Sequence, residues 1–274
     1  MRRRDFMTHS IGASLLAFLT GQEVMARGSE GAKGQTPGAL SALNPVSQYA
    51  ESYVGPRGVL DTSRRQSLTF DVVGWRTDKG RQIVSTPVLG EITVKRSPLP
   101  GAVEYEVAQR LGKDETMTGN FRCLADRRHS LERWQFQYAL DSKRRNIASM
   151  SRTEQSGRRE GNKIITVTDG AETVSTSSAP LLCRWGLLDV ACRMAELCGT
   201  GDRFTVLHEP TGLRPDQRFR EDRRGTVGRE GETSIRTFLQ TGPATVPTHW
   251  IVDSQGRPLF VSVFLVSLAL KEIG

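Results

Sequence analysis

Between residues 133 and 140, large apolar and polar side chains alternate: Trp134, Phe136, Tyr138 and Leu140 interleave with Arg133, Gln135 and Gln137. A period of two puts the four large groups on one face of an extended strand and the polar ones on the other, a pattern a helix does not keep. Leu68, Phe70 and Val72 repeat it, with Thr69 and Asp71 between them. Further extended runs follow at residues 83–94, interrupted by Pro87 and Gly90, and at 103–111, 147–153, 163–168, 203–208 and 234–239. Short strands separated by turn residues describe an all-β domain. The expected fold is mainly β: an antiparallel, strongly curved sheet or half-barrel of eight or more strands, with one main helix packed on it.

The helix has its own signals. Ser177 and Ser178 offer caps, Pro180 suits a first turn, and Gly199 suits an ending. Leu187, Leu188, Ala191, Met194 and Ala195 follow the spacing of three and four that lines one face, while Asp189, Arg193 and Glu196 share the opposite face and pair along it. Trp185 then anchors the helix over the mouth or face of the sheet.

At the C-terminal end, residues 248–252 read as a strand, Asp253-Ser254-Gln255-Gly256 as a tight turn, and 259–270 as one long returning strand. That strand carries Val261, Val263 and Leu265 on one face and Phe260, Phe264, Val266, Leu268 and Leu270 on the other. A strand apolar on both faces is covered on both. Either the helix and the core cover it, or one face lines a cavity for an apolar ligand. Trp134, Trp185, Trp250 and Phe264 are the candidate ligand-binding residues.

The N-terminus reads as an address. Arg3-Arg4-Asp5-Phe6-Met7 precedes a mildly apolar stretch, residues 11–19, in the layout of a twin-arginine export signal. Val24-Met25-Ala26 supplies the modest side chains a signal peptidase reads, so cleavage is expected before Arg27. Residues 1–26 are thus a signal peptide. Residues 27–60, rich in Gly, Ser, Ala and Pro, form a flexible leader, and 61–274 a single β-rich domain. The mature chain is expected to be periplasmic or secreted, touching a membrane through its signal peptide only.

Charge narrows the partners. The net +8 of the full chain becomes +7 after cleavage, with 35 basic against 28 acidic residues. Arginine pairs recur at Arg64/Arg65, Arg127/Arg128, Arg144/Arg145, Arg158/Arg159 and Arg223/Arg224, mostly beside turn residues, without the interleaved aromatics of a single-strand nucleic-acid platform. No nucleic-acid partner is expected. A lipid or an anionic envelope polymer is, through the summed positive field.

Enzyme motifs are missing. His208-Glu209 is followed by Pro210, which breaks the helix an H-E-x-x-H metal site needs, and there is no G-x-S-x-G elbow. Gly199-Thr200-Gly201 reads as a helix stop and turn. Four cysteines lack any C-x-x-C pair, and on a helix Cys192 sits about 180° from Cys183 and Cys198 about 120° further on. They do not face one metal; buried free thiols or one disulfide to Cys123 are expected. No cofactor or metal is expected. The leading expectation is an exported, non-catalytic binding or envelope-associated domain with an apolar or lipid-like ligand. The alternative is an extracytoplasmic carboxylate-dependent glycan hydrolase, because acids converging in a cleft leave no local pattern.

Three segments carry a resemblance: Cys183-Arg184-Trp185-Gly186-Leu187-Leu188-Asp189, the strand entry Gly201-Asp202-Arg203-Phe204, and the closing hairpin from His249-Trp250-Ile251-Val252-Asp253 through Gly256-Arg257-Pro258-Leu259. Together they resemble exported bacterial β-sheet proteins of unknown function, whose fold is similar to the half-barrels of periplasmic lipoprotein carriers. The resemblance covers residues 65–274 and implies architecture rather than activity. Carriers bind acyl chains in an apolar concavity, and none of their signature residues is matched here.

Overall fold

A computed structural model describes residues 53–78, 82–140, 151–199, 201–210, 212–227, 233–243, 245–263 and 266–274. The expected signal peptide and most of the expected leader lie outside the described residues. Eight strands form a first meander: β1 (Gln66–Asp78), β2 (Gln82–Leu99), β3 (Ala102–Leu111), β4 (Glu115–Leu124), β5 (Leu131–Leu140), β6 (Ser151–Glu160), β7 (Lys163–Thr168) and β8 (Ala171–Thr176). After a short strand, β9 (Leu181–Cys183), come the helical pieces α1 (Gly186–Asp189), a 3-10 turn (Val190–Arg193) and α2 (Met194–Gly199). A second meander follows: β10 (Phe204–His208), β11 (Gly212–Val227), β12 (Thr233–Thr241), β13 (Thr248–Asp253), β14 (Pro258–Val263) and β15 (Val266–Ile273).

All of these strands belong to one 15-stranded sheet. β15 pairs antiparallel with β1 and joins the two meanders, which leaves β8 and β9 as the edges. Every pairing is antiparallel except that of β9 with β10. The sheet is not closed by a ladder. It curls until its edges meet across the link between β8 and β9: Ser177 N donates to Asn162 O at 2.8 Å on one side, Ser177 Oγ bonds Thr205 Oγ1 at 3.1 Å on the other, and Thr205 N donates to Pro180 O at 2.8 Å. The curl brings inward-facing Phe70, Tyr105, Phe121 and Phe136 into one core with Leu187, Leu188 and Met194 of the helical segment and Phe204, Phe219 and Trp250 of the second meander.

Burial follows the alternation. On β5, Leu131, Trp134, Phe136 and Tyr138 are buried, and the residues between them are less so. Two of these rings sit over glycines of neighbouring strands. Phe136 is in register with Gly119 and Trp134 with Gly157. A Cβ on Gly157 would lie 2.2 Å from the Trp134 ring, and one on Gly119 would lie 2.1 Å from that of Phe136. Each aromatic thus covers a bare stretch of backbone, the aromatic rescue of a glycine.

Several expectations change. The helix does not begin near Pro180: residues 181–183, including Cys183, form β9, because their backbone pairs with β10, and the rest is broken into three short turns. Residues 259–270 are not one strand but the hairpin of β14 and β15, with Phe260 opposite Ala269 and Val263 opposite Val266. Pro87 and Gly90 do not break β2; a bulge opposite Val72 and Val73 absorbs the irregularity. Arg223 and Arg224 lie inside β11, beside a bulge, rather than at a turn. All four cysteines are free, with Cys123 and Cys183 buried.

The two apolar faces of the C-terminal hairpin are covered differently. Inward, Val261, Val266, Leu268 and Leu270 join the main core. Outward, Leu259, Phe260 and Ala269 form a second cluster with Val73, Val227, Ile235 and Ile251, against which Tyr53 packs. The Tyr53 ring lies 4.6 Å from that of Phe260, and its hydroxyl donates to Leu270 O at 2.5 Å. Ile273 N then donates to Arg57 O at 2.8 Å, tying this segment to β15.

Candidate functional site

Where β9 ends, the chain turns through Arg184 and Trp185 into α1. The Trp185 ring and Leu188 face the inward surfaces of β10 to β15, and between them lies a cavity of about 110 Å³. Trp250, Val261, Val263, Val266 and Leu268 form its apolar wall. Trp250 is held in place on two sides: its indole N–H donates to Gln240 Oε1 at 3.1 Å, and its ring meets Phe219 edge-on at 6.1 Å. Gln240 in turn donates to Gln217 Oε1 at 3.3 Å, so the two amides and the indole make one chain of bonds along the rim.

The opposite wall is basic. Arg184, His208 and Arg214 line it. The Arg184 guanidinium stacks over Trp185, 4.2 Å from the ring centroid, and its Nε donates to Glu209 Oε1 at 2.8 Å. Glu209 is fully buried. Burial raises its carboxyl above the usual range while Arg184 opposes the shift. His208 is held well below the ordinary imidazole value by burial and by Arg184 and Arg214, which keeps it neutral near pH 7. The buried indole N–H of Trp185 also meets the Glu209 carboxylate and, with Arg184, opposes the rise in its pKa.

The structure therefore brings Trp185 and Trp250 together on one cavity. Trp134 does not line it; it covers Gly157 on the first meander. Phe264 lies outside the described residues. Arg184 and Arg214 are additions that sequence reading missed. Arg214 sits in a polar run with no periodicity, and nothing local marks it.

A second buried constellation lies beneath the helical segment. Asp189, expected on a solvent face with Arg193 and Glu196, is instead 2% exposed. The break of the helix into short turns rotates it inward, where Arg96 Nη1 donates to its Oδ1 at 3.0 Å and the Tyr105 hydroxyl to its Oδ2 at 2.8 Å. The single hydroxyl hydrogen of Tyr105 is engaged with Asp189, so the bond of 2.5 Å between the phenol oxygen and His129 Nδ1 is donated by the histidine. Burial lowers the His129 pKa against the pull of Asp189, consistent with a neutral ring. Arg96 also donates to Thr62 O. No described lining residue of the cavity belongs to this network, and the network reads as a clamp between β2, β3 and α1. Among the described residues, no group of three or more His, Cys, Asp or Glu side chains is arranged to hold a metal.

No family model matches the chain. No curated protein matches it either. Among solved structures, a β-barrel-like protein of the domain of unknown function DUF1849 from Brucella abortus is similar, with a TM-score of 0.38 and 10% identity over 77% of this chain and 97% of that one.

Proposed function

We propose that the chain is an exported β-domain that binds an apolar or lipid-like ligand and performs no chemistry on it. The observation that carries this reading is the cavity between Trp185 and the β13 to β15 wall. Folded interiors are packed to crystal-like density. A space bounded by two tryptophans and a row of aliphatic side chains is the form that small-molecule sites take, apolar with a few placed polar groups. The described lining contributes no Asp or Glu, whereas glycan hydrolysis needs a pair of carboxylates flanking the bond, about 5 to 9.5 Å apart.

A neutral probe, N-phenyl-1-naphthylamine, tests the reading. Its fluorescence should rise saturably with the purified domain. Val261→Phe places a ring in the cavity and should weaken the probe at least tenfold, while urea unfolding should show a folded protein that has lost no more than the roughly 1–3 kcal/mol of overpacking at a buried position. An absence of saturable binding, or a Val261→Phe variant that binds as before, would overturn it.

The export half of the proposal is supported by Arg3-Arg4-Asp5-Phe6-Met7 and the stretch after it. Residues 1–40 fused to a reporter that is active only when exported folded should direct it across the membrane, and replacing Arg3 and Arg4 by Lys should stop this. Undiminished export would remove the twin-arginine assignment. Native mass spectrometry of the protein taken from its own envelope would then show what travels with it.

A further inference from the structure

The cavity walls differ in more than polarity. Toward β13 to β15 every described side chain that meets the cavity from Trp250 onward is apolar, whereas toward β9 to β11 the lining holds two guanidinium groups. Gln217 and Gln240 also face in, but their amides are engaged with each other and with Trp250, Pro215 and Thr245. The Trp185 N–H is engaged as well, with the buried Glu209 carboxylate. Positive charge is therefore collected at one end of an apolar space.

Resting on the reading of the cavity as a ligand site, we propose that its ligand is an amphiphile with an oxyanion head, a carboxylate or a phosphate on an aliphatic tail. The tail lies along Trp250, Val261 and Leu268, and the head meets Arg184 and Arg214. A guanidinium carries five donors in a planar fork that suits either oxyanion. Arg184 is already oriented by Glu209 and by its stacking on Trp185, so it forms the fixed side of the head site and Arg214 the other. His208, held neutral between them, adds no charge of its own.

Calorimetric titration with four ten-carbon compounds separates the possibilities: decanoate, decyl phosphate, decan-1-ol and decyltrimethylammonium, each below its micelle concentration. The two anions should bind at least tenfold more tightly than the alcohol, and the cation most weakly. The tighter of the two anions identifies the head. Arg214→Gln should bring the anions down to the level of the alcohol without weakening the alcohol. Arg214→Lys, which keeps the charge, should retain part of the preference and guards against a folding defect in the first variant. If the alcohol binds as tightly as the anions, the head site falls while the apolar cavity stands. If none of the four binds and the neutral naphthylamine probe fails too, both readings fall together.

Discussion

Asp189→Ala should lower the free energy of unfolding by about 3–5 kcal/mol, the cost of removing one partner of a buried ion pair and leaving the other charge unanswered. Arg96 is 4% exposed, and its Nη1 donates to Asp189 at 3.0 Å. Without that carboxylate the guanidinium has lost its countercharge, and the Tyr105 hydroxyl has lost the acceptor it reaches at 2.8 Å. The effect belongs to the pair and not to the residue. A second change, Arg96→Met, introduced into the Asp189→Ala background, should therefore recover much of the loss, since an apolar side chain of similar length asks for no partner. Urea unfolding of the four proteins of this cycle measures it. An Asp189→Ala variant within about 1 kcal/mol of the parent would show that water reaches the site and that the clamp does not hold the helical segment.

Glu115→Gln should instead make the protein more stable above neutral pH. Glu115 opens β4 on its inward face, opposite Leu111 and Leu140, and its Oε1 has no hydrogen-bond partner among the described residues. Burial pushes its carboxyl from the ordinary 4.5 up to about 7. The folded form then keeps a proton that the unfolded chain has already released. Between about pH 4.5 and 7 the native state binds more protons than the unfolded state, so stability falls as pH rises through that window. The full penalty, present above about pH 7, is roughly 3 kcal/mol at 1.36 kcal/mol per unit. Glutamine cannot ionise and should remove that part of the slope. Unfolding midpoints at half-unit steps from pH 4.5 to 8 compare the two proteins, and curves that stay parallel throughout would show that the carboxylate is solvated when charged.

Neither effect is visible in the chain before it folds. β5 declares itself because its inward positions hold Leu131, Trp134, Phe136 and Tyr138. Its neighbour β4 does not, because its inward positions hold Glu115, Met117, Gly119, Phe121 and Cys123, and a glutamate and a glycine erase the alternation. Both exceptions have tertiary reasons: Gly119 makes room for Phe136, and Glu115 is the buried acid just described. β8 is missed for another reason. It is an edge strand, exposed along most of its length, and polar residues there blunt pairing with other chains. β11 hides its inward Gln217 and Phe219 in a run of arginines and acids.

The site divides in the same way. Trp185 and Trp250 stand out as large apolar side chains at the ends of elements, and the curl of the sheet brings them onto one cavity. The helical wheel that placed Asp189 outside assumes an unbroken helix. Its partner Arg96 lies 93 residues earlier, a pairing that no window of sequence reports. The expectation for the C-terminal residues was right about two covered faces and wrong about their geometry. β14 and β15 pair as two antiparallel strands, so the inner cover is the cavity side and the outer cover is Tyr53 with its cluster.

The link between β8 and β9 has a mechanical meaning. The two free margins of this sheet are consecutive in the chain, so the ribbon is tied end to end by a tether of four residues, 177–180. From Thr176 to Leu181 are five residue spacings, which at 3.3–3.6 Å each extend to roughly 18 Å at most. The margins can part by that distance and no further while the chain is intact, and the hydrogen bonds of Ser177 to Asn162 and Thr205 act as its basting stitches. The molecule resembles a purse on a drawstring more than a barrel with staves. A single cut in the tether would leave every strand pairing in place and take away the one covalent reason for the ribbon to stay rolled.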